Sequence, residues 1–202
     1  MTLDGGRRPP SPTGTGRGEE MPRETTETEE AAICVTERFE FVAASPPCRC
    51  SLTVPPTLTL SPGDTSAAGL QRIDWALDAP NIRILVLELG ANDGLRGLPV
   101  GEMKKNLAAI IERAQQKRIA VLLTGMEAPP NFGPEYVVSF RQAYRDLAKE
   151  YNVPLLPFLL DKVAGVPALN QADGIHPTVE GAAIVADNVW TMLKPMVDAA
   201  AR

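Results

Sequence analysis

The sequence is poor in the residues that build disulfide frameworks and metal sites: it has one histidine and three cysteines in 202 residues. The cysteines, Cys34, Cys48 and Cys50, are odd in number and have no further cysteine or histidine nearby. This pattern argues against a disulfide scaffold or a zinc site and favours free thiols. No apolar run reaches the roughly 18 residues that a membrane-spanning helix needs, which excludes such a helix.

Other classes of protein are disfavoured in the same way. No apolar segment follows Arg7 and Arg8 as it would in a signal peptide, so the expected localisation is cytoplasmic by default. A net charge of −5 and a pI near 5.0 disfavour nucleic acid or an anionic membrane as a partner. A nucleotide-binding domain ranks low because the sequence contains no glycine-rich phosphate-binding fingerprint.

The first 56 residues differ in composition from the rest. They contain a Pro/Gly/Thr-rich stretch and an acidic, Thr-rich run without an apolar period, neither of which can bury enough surface to fold. We therefore expect residues 1–56 to be largely disordered or a replaced segment, with at best one short strand or helix near residues 33–44. Residues 57–202 are expected to form a folded domain.

From residue 57 onward, helical and buried-strand patterns alternate. The predicted strands are rich in β-branched or apolar residues and lie at 57–60, 82–89, 119–124 and 153–159. The predicted helices carry an apolar stripe and begin near residues 64, 100, 134 and 178, the last ending near 193. This alternation predicts a three-layer α/β/α fold with a parallel, flavodoxin-like sheet.

The only histidine lies in a short motif, Asp173-Gly174-Ile175-His176-Pro177. A carboxylate three residues before an imidazole, across a glycine turn, can accept a hydrogen bond from Nδ1–H and leave Nε2 free to take a proton. The motif therefore predicts a general base, His176, oriented by Asp173. The alternative is a loop in which both side chains bond only to backbone near a helix start.

Several other polar groups follow predicted strands. Gly63, Asn92 and the loop 126–132 each come after one, and the carboxyl ends of parallel strands meet at one edge of the sheet. A base with two N–H donors at that edge would suit acyl transfer, in which the donors hold the developing oxyanion. Ordinary turn chemistry is the alternative for Gly63 and for Asn92-Asp93-Gly94.

Four ordered motifs in this part of the chain resemble the SGNH (GDSL-like) hydrolases, in particular the bacterial arylesterase, acyl-CoA thioesterase I and lysophospholipase branch. The motifs are GDTSAAGL at 63–70, LELGANDGLRG at 87–97, GMEAPPNFGPEY at 125–136 and DGIHP at 173–177. Together they span about two thirds of the chain, and four motifs in order are far more specific than one.

The resemblance implies a role for each matched residue. His176 would be the general base with Asp173 as its partner, and the Gly63 N–H and the Asn92 side chain would be oxyanion donors. The acyl pocket would be lined by Met126, Pro129, Pro130 and Phe132. The implied substrates are small-molecule esters, thioesters or lysophospholipids, with no cofactor or metal, and members of the family are often periplasmic or secreted.

The sequence departs from the family pattern at the nucleophile. The Gly-Asp-Ser-Leu block that should precede Gly63 is absent, together with the strand and helix around it, and Ser61 and Ser66 are expected to point away from the site. We therefore expect an impaired hydrolase with a replaced or frame-shifted N-terminus. The alternative is a non-catalytic remnant or lipid-binding module that keeps the acyl pocket.

The missing strand also has a consequence for stability. Its loss would expose a sheet edge, which predicts marginal stability or self-association.

Overall fold

The computed structural model describes residues 63–200 and the backbone of residues 32–35. The described residues form four strands, which are β1 (Ala32–Val35), β2 (Ile82–Leu87), β3 (Ala120–Thr124) and β4 (Leu155–Leu156). They also form five α-helices, which are α1 (Ser66–Ala76), α2 (Ala91–Leu95), α3 (Val100–Gln116), α4 (Pro134–Glu150) and α5 (Val179–Ala200). Single 3₁₀ turns lie at Pro130–Phe132 and Pro167–Leu169.

The strands form one parallel sheet in the order β1-β2-β3-β4. Leu85 of β2 pairs with Val121 of β3. Both central strands are buried on both faces, apart from Arg83 and Ala120 near their starts. Nearly continuous apolar sequence is what such a position requires, because helices cover both sides of a parallel sheet.

Alternation of side chains along the strands divides the core into two layers. Leu85 and Leu87 of β2 face one layer, which is completed by the apolar stripes of α1, α3 and α4. Ile84 and Val86 face the other, which is completed by α5. Since successive strand residues point to opposite faces, one strand serves both layers. The predicted three-layer α/β/α fold is confirmed.

The structure differs from the predicted boundaries mainly at two elements. The last strand was expected over 153–159 but β4 has only two residues, because the chain turns away at Pro157. The last helix was expected to end near Leu193 but continues to Ala200 through Pro195. Leu193 and Val197, four residues apart, are both buried, so packing of this stripe outweighs the lost hydrogen bond at the proline.

A strand precedes β2 in the sheet, which corrects the expectation that the first strand is missing. The short strand expected near 33–44 is present as β1, whose Ile33, Cys34 and Val35 pair with β2 in parallel. Its sequence contains β-branched residues, which are favoured in strands. The predicted strand at 57–60 and the expected disorder of the remaining N-terminal residues fall outside the described residues.

Among the helices of the described region, none combines the length and the apolar character required to cross a membrane.

Candidate active site

The histidine motif forms a compact loop in which His176 and Asp173 are hydrogen-bonded. His176 Nδ1 lies 2.7 Å from Asp173 Oδ2. The other carboxylate oxygen, Oδ1, accepts the backbone N–H groups of Ile175 and His176 at 3.0 and 3.1 Å. Gly174 has φ +74°, a left-handed conformation that allows this tight turn. The carboxylate is thus fixed by three donors, and it fixes the imidazole in turn.

These contacts set the charge of Asp173 and the tautomer of His176. The hydrogen bond from His176, followed by the two backbone N–H groups, lowers the pKa of Asp173 from 3.8 to about 2. The carboxylate is therefore ionised near neutral pH and can only accept hydrogen bonds. The proton between the two side chains consequently belongs to Nδ1, which leaves Nε2 of a neutral imidazole as the free basic nitrogen.

The histidine loop is fastened to the start of α5. Gln171 N–H donates to the carbonyl of His176 at 2.7 Å, and Thr178 N–H donates to the carbonyl of Leu169 at 2.9 Å. The Thr178 hydroxyl accepts the N–H of Gly181 at 3.2 Å, as an N-cap residue does. These bonds give the exposed imidazole a rigid support.

Gly63 and Asn92 are joined through the backbone of residue 64. Asn92 Nδ2 donates to the Asp64 carbonyl at 2.9 Å. An amide NH₂ has two hydrogens, so this bond leaves one donor available. Gly63 has φ +88° and its carbonyl accepts a hydrogen bond from Arg96 Nη2 at 2.8 Å. The two predicted oxyanion donors therefore belong to one hydrogen-bonded unit.

Asp93 anchors that unit in the interior, a role that the sequence analysis missed. Its carboxylate accepts the Ser66 N–H at 2.7 Å and the Ser66 hydroxyl at 2.6 Å. The Ser66 hydroxyl also accepts a bond from Asn106 Nδ2 at 3.0 Å, and its side chain is fully buried. Ser66 is thus occupied structurally, as expected for a serine that points away from the site. The only sequence signal for this role was the position of Asp93, an acidic residue within the motif at 87–97 that follows a predicted strand.

The predicted acyl-pocket loop is rigidly attached on both sides. Gly125 N–H donates to the Leu156 carbonyl at 2.7 Å, and Glu127 pairs with Arg141 of α4. Met126 is half-buried and packs against both core layers, whereas the ring of Phe132 is 40% exposed. Of the two predicted prolines, Pro129 is half-buried and Pro130 is exposed. The loop thus offers apolar side chains on a fixed backbone.

Topology relates these segments to one edge of the sheet. Asn92 and Met126 follow the carboxyl ends of parallel, adjacent strands, β2 and β3. Asn188, in the middle of α5, donates to the carbonyl of Leu159 just beyond the carboxyl end of β4. His176 precedes the beginning of α5 by three residues. Ligands of open α/β sheets bind at this edge, and the catalytic roles of these residues remain predictions.

A titration can test the charge assigned to Asp173. We expect a ¹³C NMR titration of its carboxyl carbon to give a pKa of about 2 in the wild-type chain. In a His176→Ala variant the pKa should rise toward 3.8 but stay below it, because the two backbone donors remain. A pKa that does not change in this variant would contradict the hydrogen bond between His176 and Asp173.

The same hydrogen bond makes stability depend on pH. It stabilises the fold above the ordinary pKa of the Asp173 carboxyl, and this contribution is lost as the pH falls to about 2.

No cluster of three or more His, Cys, Asp or Glu side chains that could hold a metal ion occurs in the region that the structure describes.

Comparison with known proteins identifies the family. A model of the GDSL-like lipase/acylhydrolase family matches residues 57–184. The chain belongs to the GDSL-like lipase/acylhydrolase family. The resemblance inferred from the four motifs is thereby confirmed, and the chain is by resemblance a hydrolase of the SGNH type.

Similar proteins within this GDSL-like family are esterases and thioesterases. The chain is 42% identical to esterase TesA of Pseudomonas aeruginosa over 135 residues, and this aligned region covers 67% of each chain. It is 38% identical over 136 residues to thioesterase 1/protease 1/lysophospholipase L1 of Escherichia coli, with 67% of this chain and 65% of the relative covered. The matched region is thus about two thirds of the length of either curated relative.

Solved structures of this family have the same fold. A crystal structure of TesA matches with a TM-score of 0.69 and 31% identity, over 82% of this chain and 99% of that one. The SGNH-hydrolase family esterase AlinE4 matches with a TM-score of 0.60 and 32% identity, over 87% and 98% of the two chains.

Proposed function

We propose that this chain has the body of an SGNH-type carboxylic-ester or thioester hydrolase, with His176 as general base, Asp173 as its orienting carboxylate, and Gly63 and Asn92 as oxyanion donors. The observation that carries the proposal is the 2.7 Å hydrogen bond between His176 Nδ1 and Asp173 Oδ2. It holds Nε2 free and basic on a rigid loop, as acyl transfer requires.

In this mechanism Nε2 accepts the proton of a hydroxyl nucleophile as its oxygen attacks the acyl carbon. The carbonyl oxygen becomes an oxyanion, stabilised by the Gly63 N–H and the free hydrogen of Asn92. The imidazolium, stabilised by ionised Asp173, then gives its proton to the departing alkoxide or thiolate. Water hydrolyses the acyl intermediate by the same steps. Met126, Pro129, Pro130 and Phe132 would contact the acyl chain.

A serine nucleophile in this proposal would come from residues 1–62. The described serines are Ser66, buried against Asp93, and Ser139, whose hydroxyl donates to the Tyr136 carbonyl on α4. Since the first 62 residues contain no Gly-Asp-Ser-Leu block, we propose that activity is impaired. Loss of one member of a catalytic triad leaves about 10³ to 10⁴-fold acceleration over water, from binding and the oxyanion donors.

An ester-hydrolysis assay tests the proposal. We expect the chain to hydrolyse p-nitrophenyl butyrate faster than its His176→Ala variant, because that variant lacks the base. The matched control is Gln171→Ala in the same loop, whose side chain donates to the Pro177 carbonyl and should matter little to the rate. Equal rates for the wild-type and His176→Ala proteins would contradict a catalytic role.

A second candidate function is a non-catalytic module that binds acyl chains. It is favoured by one specific observation: both serines of the described region, Ser66 and Ser139, use their hydroxyls in structural hydrogen bonds, to Asp93 and to the Tyr136 carbonyl. A fluorophosphonate probe distinguishes the two functions, because it reacts with an activated serine. Labelling of one serine that disappears in His176→Ala supports the hydrolase, whereas no labelling together with binding of octanoate supports the binding module.

A further inference from the structure

The Gly63 N–H is a proposed oxyanion donor, but a glycine residue does not by itself restrict the orientation of its backbone. Gly63 has φ +88° and is exposed, and glycine has more backbone freedom than any other residue. A peptide group that must point at an oxyanion needs to be fixed before the reaction, since preorganisation makes such donors effective. The restraint must therefore come from groups outside the glycine.

Two adjacent carbonyls of this segment are fastened to the chain that follows β2. The Gly63 carbonyl accepts a bond from Arg96 Nη2 at 2.8 Å, and the Asp64 carbonyl accepts one from Asn92 Nδ2 at 2.9 Å. A guanidinium donor is charged, so its hydrogen bond is stronger than that of a neutral amide. The Arg96 bond restrains the peptide plane that directly follows the Gly63 Cα.

Arg96 itself projects from a rigid support. Its N–H closes the end of α2 on the Asn92 carbonyl at 3.2 Å, and Asp93, three residues earlier, is buried and bonded to Ser66. On its other side, Gly97 has φ +62° and packs so closely on Phe132 that a Cβ there would lie 2.4 Å from the ring. The backbone of Arg96 is therefore held on both sides.

We propose that Arg96 is a positioning residue: by holding the Gly63 carbonyl, it fixes the peptide plane after the Gly63 Cα and leaves only rotation about the Gly63 N–Cα bond to orient the N–H proposed as oxyanion donor. The inference rests on the proposed function of Gly63. Arg96 acts through the glycine backbone, without touching the reacting atoms. Asn92 in turn has two tasks, because it restrains Asp64 with one hydrogen and offers the other to the oxyanion.

Kinetics provides the first arm of the test. With neutral p-nitrophenyl butyrate, Arg96→Ala should lower kcat about tenfold and change KM less than about twofold, since positioning acts on the transition state. Arg96→Lys keeps a charged donor and should recover kcat to within about threefold of wild type. Arg145→Ala is the matched control, because Arg145 is an exposed arginine for which the described structure gives no hydrogen bond or ion pair.

NMR provides a second arm that does not depend on activity. Pro62-Gly63 is the only Pro-Gly step in the sequence, so ¹³C′-proline and ¹⁵N-glycine labelling isolates the Gly63 amide. Its heteronuclear NOE should fall in Arg96→Ala and remain at the wild-type value in Arg145→Ala. This arm still decides the positioning role if the wild-type chain hydrolyses no ester, a result that would count against the proposed function alone.

The outcomes separate positioning from other roles. A lower kcat together with a lower Gly63 NOE supports the inference. A lower kcat with an unchanged NOE would mean that Arg96 acts on the substrate directly, and a wild-type kcat in Arg96→Ala would mean that the contact is not needed. Either result overturns the positioning role.

Discussion

Replacing Phe140 by alanine is expected to lower the free energy of unfolding by about 3–5 kcal/mol, the usual cost of deleting a buried phenylalanine ring. Phe140 is fully buried on α4. Its ring lies 6.0 Å from that of Tyr136 and 5.6 Å from that of Tyr144, so it is the centre of an aromatic row. Urea denaturation followed by circular dichroism measures the effect.

The same substitution should also loosen the Asn92 segment. Gly94 packs on Phe140 so closely that a Cβ at Gly94 would lie 2.9 Å from the ring, and the Tyr144 hydroxyl donates to the Leu89 carbonyl at 2.9 Å. The aromatic row therefore supports the backbone on both sides of Asn92. The strands and helices should form as before, but the loop after β2 should become more mobile.

Two variants control for the size and position of the ring. Phe140→Leu keeps most of the apolar volume and should cost less than about 1.5 kcal/mol. The ring of Phe132 lies 5.4 Å from that of Tyr136, at the end of the row, and is 40% exposed, so Phe132→Ala should cost clearly less than Phe140→Ala. Equal losses for Phe132→Ala and Phe140→Ala would show that burial in this row does not determine stability.

Much of the fold could be predicted because the spacing of apolar residues along the chain indicates individual helices and strands. The helix predicted to begin near residue 100 is α3, Val100–Gln116, since its apolar residues recur at helical spacing. The nearly continuously apolar run at 82–89 contains β2, although the strand ends at Leu87. β4 could not be delimited in this way, because an apolar stretch at 153–159 does not show where the neighbouring strand ends.

In the candidate site, contacts between residues close in sequence could be predicted, whereas contacts between distant residues could not. The hydrogen bond between Asp173 and His176 was predictable because three residues and a glycine turn separate them. The bond from Arg96 to Gly63 spans 33 residues and that from Asp93 to Ser66 spans 27. No local pattern pairs such positions, since they come together only in the folded chain. The motifs indicated which segments matter but not which side chains fasten them.

Replacing Asn92 by alanine is expected to lower kcat for p-nitrophenyl butyrate about 10² to 10³-fold, which is the usual cost of removing one oxyanion donor. The rate of the His176→Ala protein is first subtracted as background. The amide orientation supports the role, because a flipped amide would bring its oxygen against the Asp64 carbonyl, an acceptor that cannot donate. The reduction should exceed that of Arg96→Ala, because Asn92 is proposed to contact the oxyanion itself.

The matched control is Asn188→Ala on α5. Asn188 Nδ2 likewise donates to backbone carbonyls, those of Leu159 at 3.2 Å and Asp161 at 2.9 Å. Its loss should lower the melting temperature without a comparable change in kcat, because these carbonyls lie outside the proposed oxyanion site. If both variants lose kcat in proportion to their lost stability, Asn92 is a structural residue. A selective loss in Asn92→Ala, with KM nearly constant, places its interaction in the transition state, because ground-state binding would then be unaffected.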